Sequence, residues 1–217
     1  MKVLVVGASR GTGAALVSEL AERGHLVTAY ARQPGGGDER VHHVAGDVLD
    51  REALAKAMIG QDAVAVTLGI PDNPFRVRLT RRASSPLDVR SRGTAGVVAA
   101  MREHGVPRIA ILSVYGIGES YAELPLALKA FFSLAIRPQV DDHERQERLV
   151  RASGLEWTIV QPTVLHDEPT EAAPYVGSGE RPPSMRVSRR QVARVLADAL
   201  EQDALVGRVL TVSEAAG

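Results

Sequence analysis

Lys2-Val3-Leu4-Val5-Val6-Gly7-Ala8-Ser9-Arg10-Gly11-Thr12-Gly13-Ala14-Ala15-Leu16-Val17 is the stretch from which the rest of this chain can be read. The apolar, β-branched run before Gly7 suits a central parallel strand buried on both faces. Leu16, Val17, Leu20 and Ala21 then recur at helical spacing. Glu19, Glu22 and Arg23 take the other face, and Gly24 stands where a left-handed cap is wanted. Leu26-Val27-Thr28-Ala29-Tyr30-Ala31 returns as a second parallel strand. Between strand and helix lie three glycines, Gly7, Gly11 and Gly13, at G-x-x-x-G-x-G spacing. A helix N-terminus there offers unpaired N–H groups and the positive end of its dipole, and missing side chains let a pyrophosphate approach. Gly7, Ser9, Arg10, Gly11, Thr12 and Gly13 are therefore expected to form a dinucleotide cradle.

The end of the second strand sets which dinucleotide. A site for NAD normally carries an acid about 20 residues beyond the turn, for the ribose 2′-hydroxyl, whereas a 2′-phosphate needs cations. Here the position is Arg32, no carboxylate appears until Asp38, and Arg10 supplies a second guanidinium. NADP(H) is the expected cofactor.

With 217 residues, one core is expected. The 26 basic and 26 acidic residues cancel, which argues against a nucleic-acid footprint or a membrane-surface protein. Cysteine is absent, so disulfides, thiolate catalysis and Cys-ligated zinc are excluded. The sequence begins on a core strand without a cationic and apolar leader, and its longest apolar stretch, Leu124 to Ile136, contains Lys129. A cytoplasmic location follows as the expectation, with a monomer favoured over a dimer.

Val41-His42-His43-Val44 reads as a third strand, whose adjacent histidines point to opposite faces, so no metal site is expected. Asp47 and Val48 follow it at the carboxyl edge, where such a sheet meets its ligand. Asp50 can cap a helix through Leu54, Ala57 and Met58, closing at Gly60. Ala63 to Leu68 is a fourth strand, with Leu68 and Gly69 at its ligand end. Ile70 to Leu87 is a loop carrying Arg76, Arg78, Arg81 and Arg82, read as solvated rather than ligand-binding. Ser91 to His104 is helical, and Arg108 to Ser113 is a fifth strand ending on a hydroxyl.

Ser113 is thereby placed to hydrogen-bond a substrate oxygen that gains charge, and is the expected catalytic residue. The familiar Tyr-x-x-x-Lys acid/base pair is missing: Glu119 follows Tyr115 by four residues and Pro125 follows Tyr121, while Lys129 is out of register. Leu124 to Ile136 reads as a core helix broken by Pro138, and Asp141-x-x-Glu144 as a capping-box-like start to the next helix, with His143 facing the cleft. Glu156 to Pro162 is a sixth strand, and residues 163–187 a Pro/Gly-rich loop of the kind that closes over substrate. Ser188-x-x-Gln191 caps another helix, and Arg208 to Ser213 is a last strand. The fold class is α/β: one Rossmann-type, doubly wound parallel sheet of about seven strands with helices on both faces, spanning 1–217. Substrate loops are expected at 114–140 and 163–187, and Tyr115, His143, Pro162, Val164 and His166 as substrate-lining residues.

Several further stretches carry a resemblance: Gly46-Asp47-Val48-Leu49, Gly60-Gln61-Asp62-Ala63-Val64, Leu68-Gly69, Val98-Ala99-Ala100-Met101, His104-Gly105-Val106, Asp141-Asp142-His143 and Arg151-Ala152-Ser153-Gly154-Leu155. With the glycine turn they make the chain similar, over nearly its full length, to the atypical short-chain dehydrogenases/reductases of the NAD(P)-binding class, and most to their flavin reductase (biliverdin-IXβ reductase) branch. The resemblance implies an open site that stacks flat conjugated substrates on the nicotinamide. It implies that Gly7, Gly11, Gly13 and Arg32 bind cofactor, Asp47 contacts adenine and Ser113 lines the substrate site. The chain departs from that branch after the sixth strand, where Val164 replaces a histidine and His166 lies two positions on. The function expected is NADPH-dependent hydride transfer to a flavin, quinone or bilin-like acceptor. The alternatives are an NADP-binding redox-sensing regulator similar to the NmrA-like proteins, and a sugar-nucleotide epimerase or carbonyl reductase.

Overall fold

The computed structural model describes residues 1–36, 39–69, 86–124, 129, 137–168 and 170–216. The arginine-rich loop, Asp38 and most of the apolar stretch after Leu124 lie outside the described residues.

The chain begins with β1 (Lys2–Val6), α1 (Gly11–Glu22), β2 (Leu26–Ala31), β3 (Val41–Ala45), α2 (Arg51–Met58) and β4 (Ala63–Val66). It continues through α3 (Val89–His104), β5 (Arg108–Leu112), α4 (Arg137–Arg151), β6 (Glu156–Pro162), β7 (Val164–His166), β8 (Pro174–Gly177), β9 (Arg186–Ser188), α5 (Arg189–Glu201) and β10 (Arg208–Glu214). The strands assemble in the order β3-β2-β1-β4-β5-β6-β10-β8, parallel throughout except for the antiparallel β10–β8 pair. β1 is paired on both sides, which is why its run from Val3 to Val6 is apolar.

Alternation along β1 divides the core in two. Val3 and Val5 pack with Leu16 and Leu20 of α1 and Val192 and Leu196 of α5. Leu4 and Val6 face Leu54 and Met58 of α2, Val97 and Met101 of α3 and Val150 of α4. Both faces of the sheet are thus covered by helices, as a doubly wound fold requires.

Local signals hold at several ends. Asp50 Oδ1 accepts from Glu52 N and Ala53 N, both at 3.1 Å, and Ser188 and Gln191 form a reciprocal capping box. Two expectations are corrected. Pro138, expected as a helix breaker, sits inside the first turn of α4, where its fixed φ is helical and its missing N–H is no loss. α4 therefore starts at Arg137, and Asp141 and Asp142 lie inside it rather than capping it. The 163–187 segment is not all loop. β7 and β9 pair in parallel, and β8 extends the main sheet to eight strands, its Pro174 tolerated because an edge strand has no second neighbour. Among the described residues no helix is long and apolar enough to cross a membrane.

Two glycines separate close approach from mere small size. A Cβ on Gly13 would run into the Gly7 carbonyl and lie 2.6 Å from Thr67 Oγ1, whereas one on Gly96, inside α3, would meet nothing nearer than Leu54 Cδ2 at 3.5 Å. Gly13→Ala is expected to destabilise by about 1–3 kcal/mol through overpacking. Gly96→Ala should stabilise by about 0.5–1 kcal/mol through helix propensity. Urea-unfolding midpoints of the two variants check the opposite signs.

Candidate active site

A cleft of about 1260 Å³ runs along the carboxyl edge of the sheet. It opens where the strand order reverses, with β1 between β2 and β4, the place where open α/β sheets take ligands. The turn after β1 forms its floor, the ends of β2, β3, β4, β5 and β6 line it in turn, and Arg90 of α3, His143 of α4 and Arg189 of α5 close its sides.

The glycine turn brings α1 end-on to this floor. Gly7 has φ 93°, its N–H donates to Tyr30 O (2.9 Å), and a Cβ there would lie 2.8 Å from Thr67 O. α1 begins at Gly11 with no side-chain cap on its N-terminus and no acid in its first turn. Three other helix starts are supplied: α2 by Asp50, α5 by Ser188, and α3 by Asp142 of α4, which accepts from Arg90 N and Ser91 N at 3.1 Å. Only α1, among these four, leaves its first N–H groups to the cleft. Buried Thr12 Oγ1 beside them has no partner among the described residues either. A diphosphate fits there, because the helix dipole and unpaired donors both favour an anion.

At the end under β2 and β3, Tyr30 is buried and donates to Asp47 O (2.8 Å). Burial, with the charges of Asp50 and Asp47, pushes its phenol up to about 12, so it stays a donor. Asp47 Oδ1 accepts from Leu49 N (2.9 Å), a local turn bond, while the residue still lines the cleft. Arg10 and Arg32 are exposed on the rim. Arg189 lies over the turn, its Nη1 paired with Asp167 Oδ2 at 2.8 Å and its Nε 3.4 Å from where a Gly11 Cβ would be.

At the other end Ser113 is buried, and its hydroxyl donates to Glu147 Oε1 (2.6 Å). Gln161 Nε2 donates to the same oxygen (2.8 Å), and Ser120 Oγ donates to Gln161 Oε1 (3.0 Å). Burial raises the Glu147 carboxyl, against the opposing pull of those two hydrogen bonds and of Arg151. His143, beside it on α4, is held well below the usual imidazole range by burial and then by the charge of Arg90, so it is neutral.

Of the residues expected from sequence, Gly7, Ser9, Arg10, Gly11, Thr12, Arg32, Asp47, Val48, Leu68, Gly69, Ser113, His143, Pro162 and Val164 line this one cleft. Gly13 lies beneath the floor as the contact that lets α1 approach. Two expectations are corrected. Tyr115 is buried in a cluster with Ile117, Leu124 and Val140 and does not line the cleft, its hydroxyl without a partner among the described residues. His166 is held on the sheet by Glu214 (Nε2 to Oε1, 2.9 Å) and by Glu168 N. Sequence reasoning missed Glu147, Gln161, Arg90 and Arg189. The first two stand far from Ser113 in sequence, and only the packing of α4 against β5 and β6 joins them.

This geometry defines a dinucleotide-binding Rossmann protein. The chain belongs to the NAD(P)H-binding family, whose model matches residues 7–203, and so to the NAD(P)H-dependent oxidoreductases. A curated relative, the (4-alkanoyl-5-oxo-2,5-dihydrofuran-3-yl)methyl phosphate reductase of Streptomyces griseus subsp. griseus, is 29% identical over 97% of this chain and 67% of its own length. The share of a curated relative's length that the chain spans runs from 72% down to 14%. A Rossmann-fold NAD(P)-binding protein of Shigella flexneri is similar with a TM-score of 0.73 at 27% identity, covering 100% of this chain and 95% of that one. The same fold is held by an anaerobilin reductase of Escherichia coli O157:H7 (TM-score 0.72, 18% identity, 99% and 97% covered). A Streptococcus pneumoniae protein provisionally described as an NADH-flavin reductase also shares it (TM-score 0.73, 20% identity, 99% of each chain covered).

Because the folded state raises the Glu147 carboxyl, folding binds a proton more strongly than the unfolded chain does. Its contribution to stability is therefore greatest below the usual carboxyl range and is lost as pH rises through the elevated value. Glu147→Gln should remove that loss, so its stability is flatter from mildly acidic to neutral pH and no lower than the parent's at neutrality. Urea midpoints of both proteins over that range measure it.

Proposed function

We propose that this chain is an NADPH-dependent reductase that passes hydride to a flat conjugated acceptor: a flavin, a quinone or a bilin. The observation that carries the reading is the pairing, in one cleft, of the uncapped α1 N-terminus with the buried Ser113–Glu147 pair. One end suits a diphosphate and the other suits an oxygen that gains charge.

Gly7 and the first turn of α1 would hold the diphosphate, and Arg10 and Arg32 the 2′-phosphate, since no carboxylate stands at the end of β2 to favour a free 2′-hydroxyl. When bound, NADPH supplies the hydride. Ser113 orients the acceptor. With Glu147 ionised, the Ser113 proton points at the carboxylate and only lone pairs face the cleft. Burial favours the neutral acid, and a neutral Glu147 donates to Ser113 Oγ instead, freeing the hydroxyl proton for the acceptor oxygen. A conjugated acceptor spreads the charge it gains and needs no phenolic acid, which accords with a cleft whose one described lining tyrosine, Tyr30, has its hydroxyl engaged by Asp47 O. Val114 after β5, Pro162 at the end of β6, and Val164 and Leu165 of β7 are proposed as the acceptor's walls. The reading takes the chain as a cytoplasmic monomer acting on small molecules.

Thermal shift should favour NADPH over NADH, since a ligand of the folded state raises the melting point by mass action. Arg32→Asp should reverse the preference, and equal dissociation constants in the parent protein would sink the NADP assignment. NADPH oxidation with FMN, menadione and biliverdin tests the reaction. Ser113→Ala should lower kcat by up to about 10²–10³, the loss of a donor to a full oxyanion, and by less for a delocalised charge, with NADPH affinity unchanged. Tyr115→Phe should leave the rate alone. Tight NADPH binding without oxidation by any acceptor class would favour a redox-sensing regulator instead.

A further inference from the structure

Arg90 is the second residue of α3, and its side chain lines the same cleft as Ser113 and His143. It is only 8% exposed, yet Nε and Nη1 find no hydrogen-bond acceptor among the described residues. Among the described residues its ion-pair partner is Asp142, whose Oδ2 lies 3.9 Å from Nη1, beyond hydrogen-bond reach. That carboxylate is already engaged: Oδ2 accepts from Arg90 N, and Oδ1 from Ser91 N and Ser91 Oγ. Asp142 thus caps α3 and lends Arg90 a counter-charge, but it leaves the guanidinium's donors unmade. His143 stands close enough for Arg90 to depress its basicity and has Gln146 as its own side-chain partner.

A buried guanidinium with idle donors destabilises a fold, and nothing in the packing of α3 asks for one. A cleft residue in that state is explained by a ligand that completes it. We propose that Arg90 forms an anion subsite for the acceptor, so that the conjugated substrate carries a pendant carboxylate or phosphate that accepts from Arg90 Nε and Nη1. The inference rests on the reductase reading and narrows its substrate class to acidic acceptors. The cofactor's own phosphates are matched elsewhere: the α1 N-terminus, Arg10 and Arg32 lie at the ends of β1 and β2, and α1 covers one face of the sheet while α3 covers the other. A planar, forked donor suits a carboxylate or phosphate better than a point charge would.

The test uses the full chain saturated with NADP+, so that the cofactor's phosphate positions are filled. Two pairs of acceptors share a ring system and differ in charge: FMN against riboflavin for phosphate, and biliverdin against its dimethyl ester for carboxylate. Fluorescence quenching gives the dissociation constants. The anionic member of at least one pair should bind about tenfold or more tightly, as a charge-assisted hydrogen-bonded contact allows, and the pair that differs identifies the anion. Arg90→Met should abolish the difference by weakening the anionic member alone, with the neutral member and NADP+ binding as before. Arg90→Lys, which keeps the charge without the fork, should retain part of it and serves if the Met variant does not fold.

Equal affinity within both pairs overturns the subsite, as does weakened NADP+ binding in Arg90→Met, which would hand Arg90 to the cofactor. A lower melting point with the pair difference intact would make Arg90 structural and overturns it equally. NADPH turnover with no pair difference leaves the reductase reading standing without the subsite. A pair difference with no turnover leaves the subsite and removes the reductase.

Discussion

The backbone of α1 comes so close to the ends of β1 and β4 that no side chain fits between them, and the remaining architecture is arranged around that approach. Gly13 rests on the Gly7 carbonyl, Gly7 on the Thr67 carbonyl, and Thr67 Oγ1 donates back to Val6 O (3.1 Å). A helix held this tightly points its N-terminus into the cleft rather than past it. Its far end is fixed too: Arg23 Nη1 reaches Asp198 (2.7 Å) and Glu201 (2.8 Å) on α5, and His25 Nε2 reaches Glu201 (2.7 Å). Removing side chains at one end and pairing charges at the other sets the axis along which the dipole acts.

Across the sheet, α4 is positioned by a different logic. Its inward face is largely polar: Asp142, Gln146 and Glu147 are all buried. Two of them bond α3, and the third bonds the ends of β5 and β6. Asp142 caps α3, Gln146 Nε2 donates to Thr94 Oγ1 (3.0 Å), and Glu147 accepts from Ser113 after β5 and Gln161 on β6. Apolar contacts are non-directional and tolerate sliding, but these bonds fix the register of α4 against three neighbours. Since Ser113 and Arg90 are set by the same bonds, what locates the helix also locates the polar groups of the cleft.

This explains which parts could be read in the sequence. Signals confined to a few residues were legible, such as the glycine turn, the Asp50 cap and the Ser188–Gln191 box, because their partners are neighbours in the chain. Pro138 was misread because a proline that ends one helix and one that opens another look alike locally. β8 was invisible, four residues from Pro174 to Gly177, because its strand character comes from pairing with β10 rather than from its own pattern. Ser113 was found from its place at a strand's end. Glu147 was not: on a helix of mostly charged residues, nothing local distinguishes the carboxyl that points inward from those that face water. Arg90 was missed for the same reason, one arginine among several near a loop.

The cleft's electrostatics follow from the same distinction between composition and placement. Acid and base cancel over the whole chain, yet the cleft's described lining holds Arg10, Arg32, Arg90 and Arg189 against the single acid Asp47, whose Oδ1 is engaged by Leu49 N. A concave site with low-dielectric walls concentrates the field of such a set, so a neutral protein can present a cationic cleft. A field alone would draw any anion to either end. Selection must come from the donors, and these differ: N–H groups of a helix terminus and rim arginines at one end, and a buried guanidinium beside a neutral imidazole at the other. Because similar folds serve reductases of unlike substrates, it is these donors, rather than the sheet that carries them, that decide what the cleft accepts.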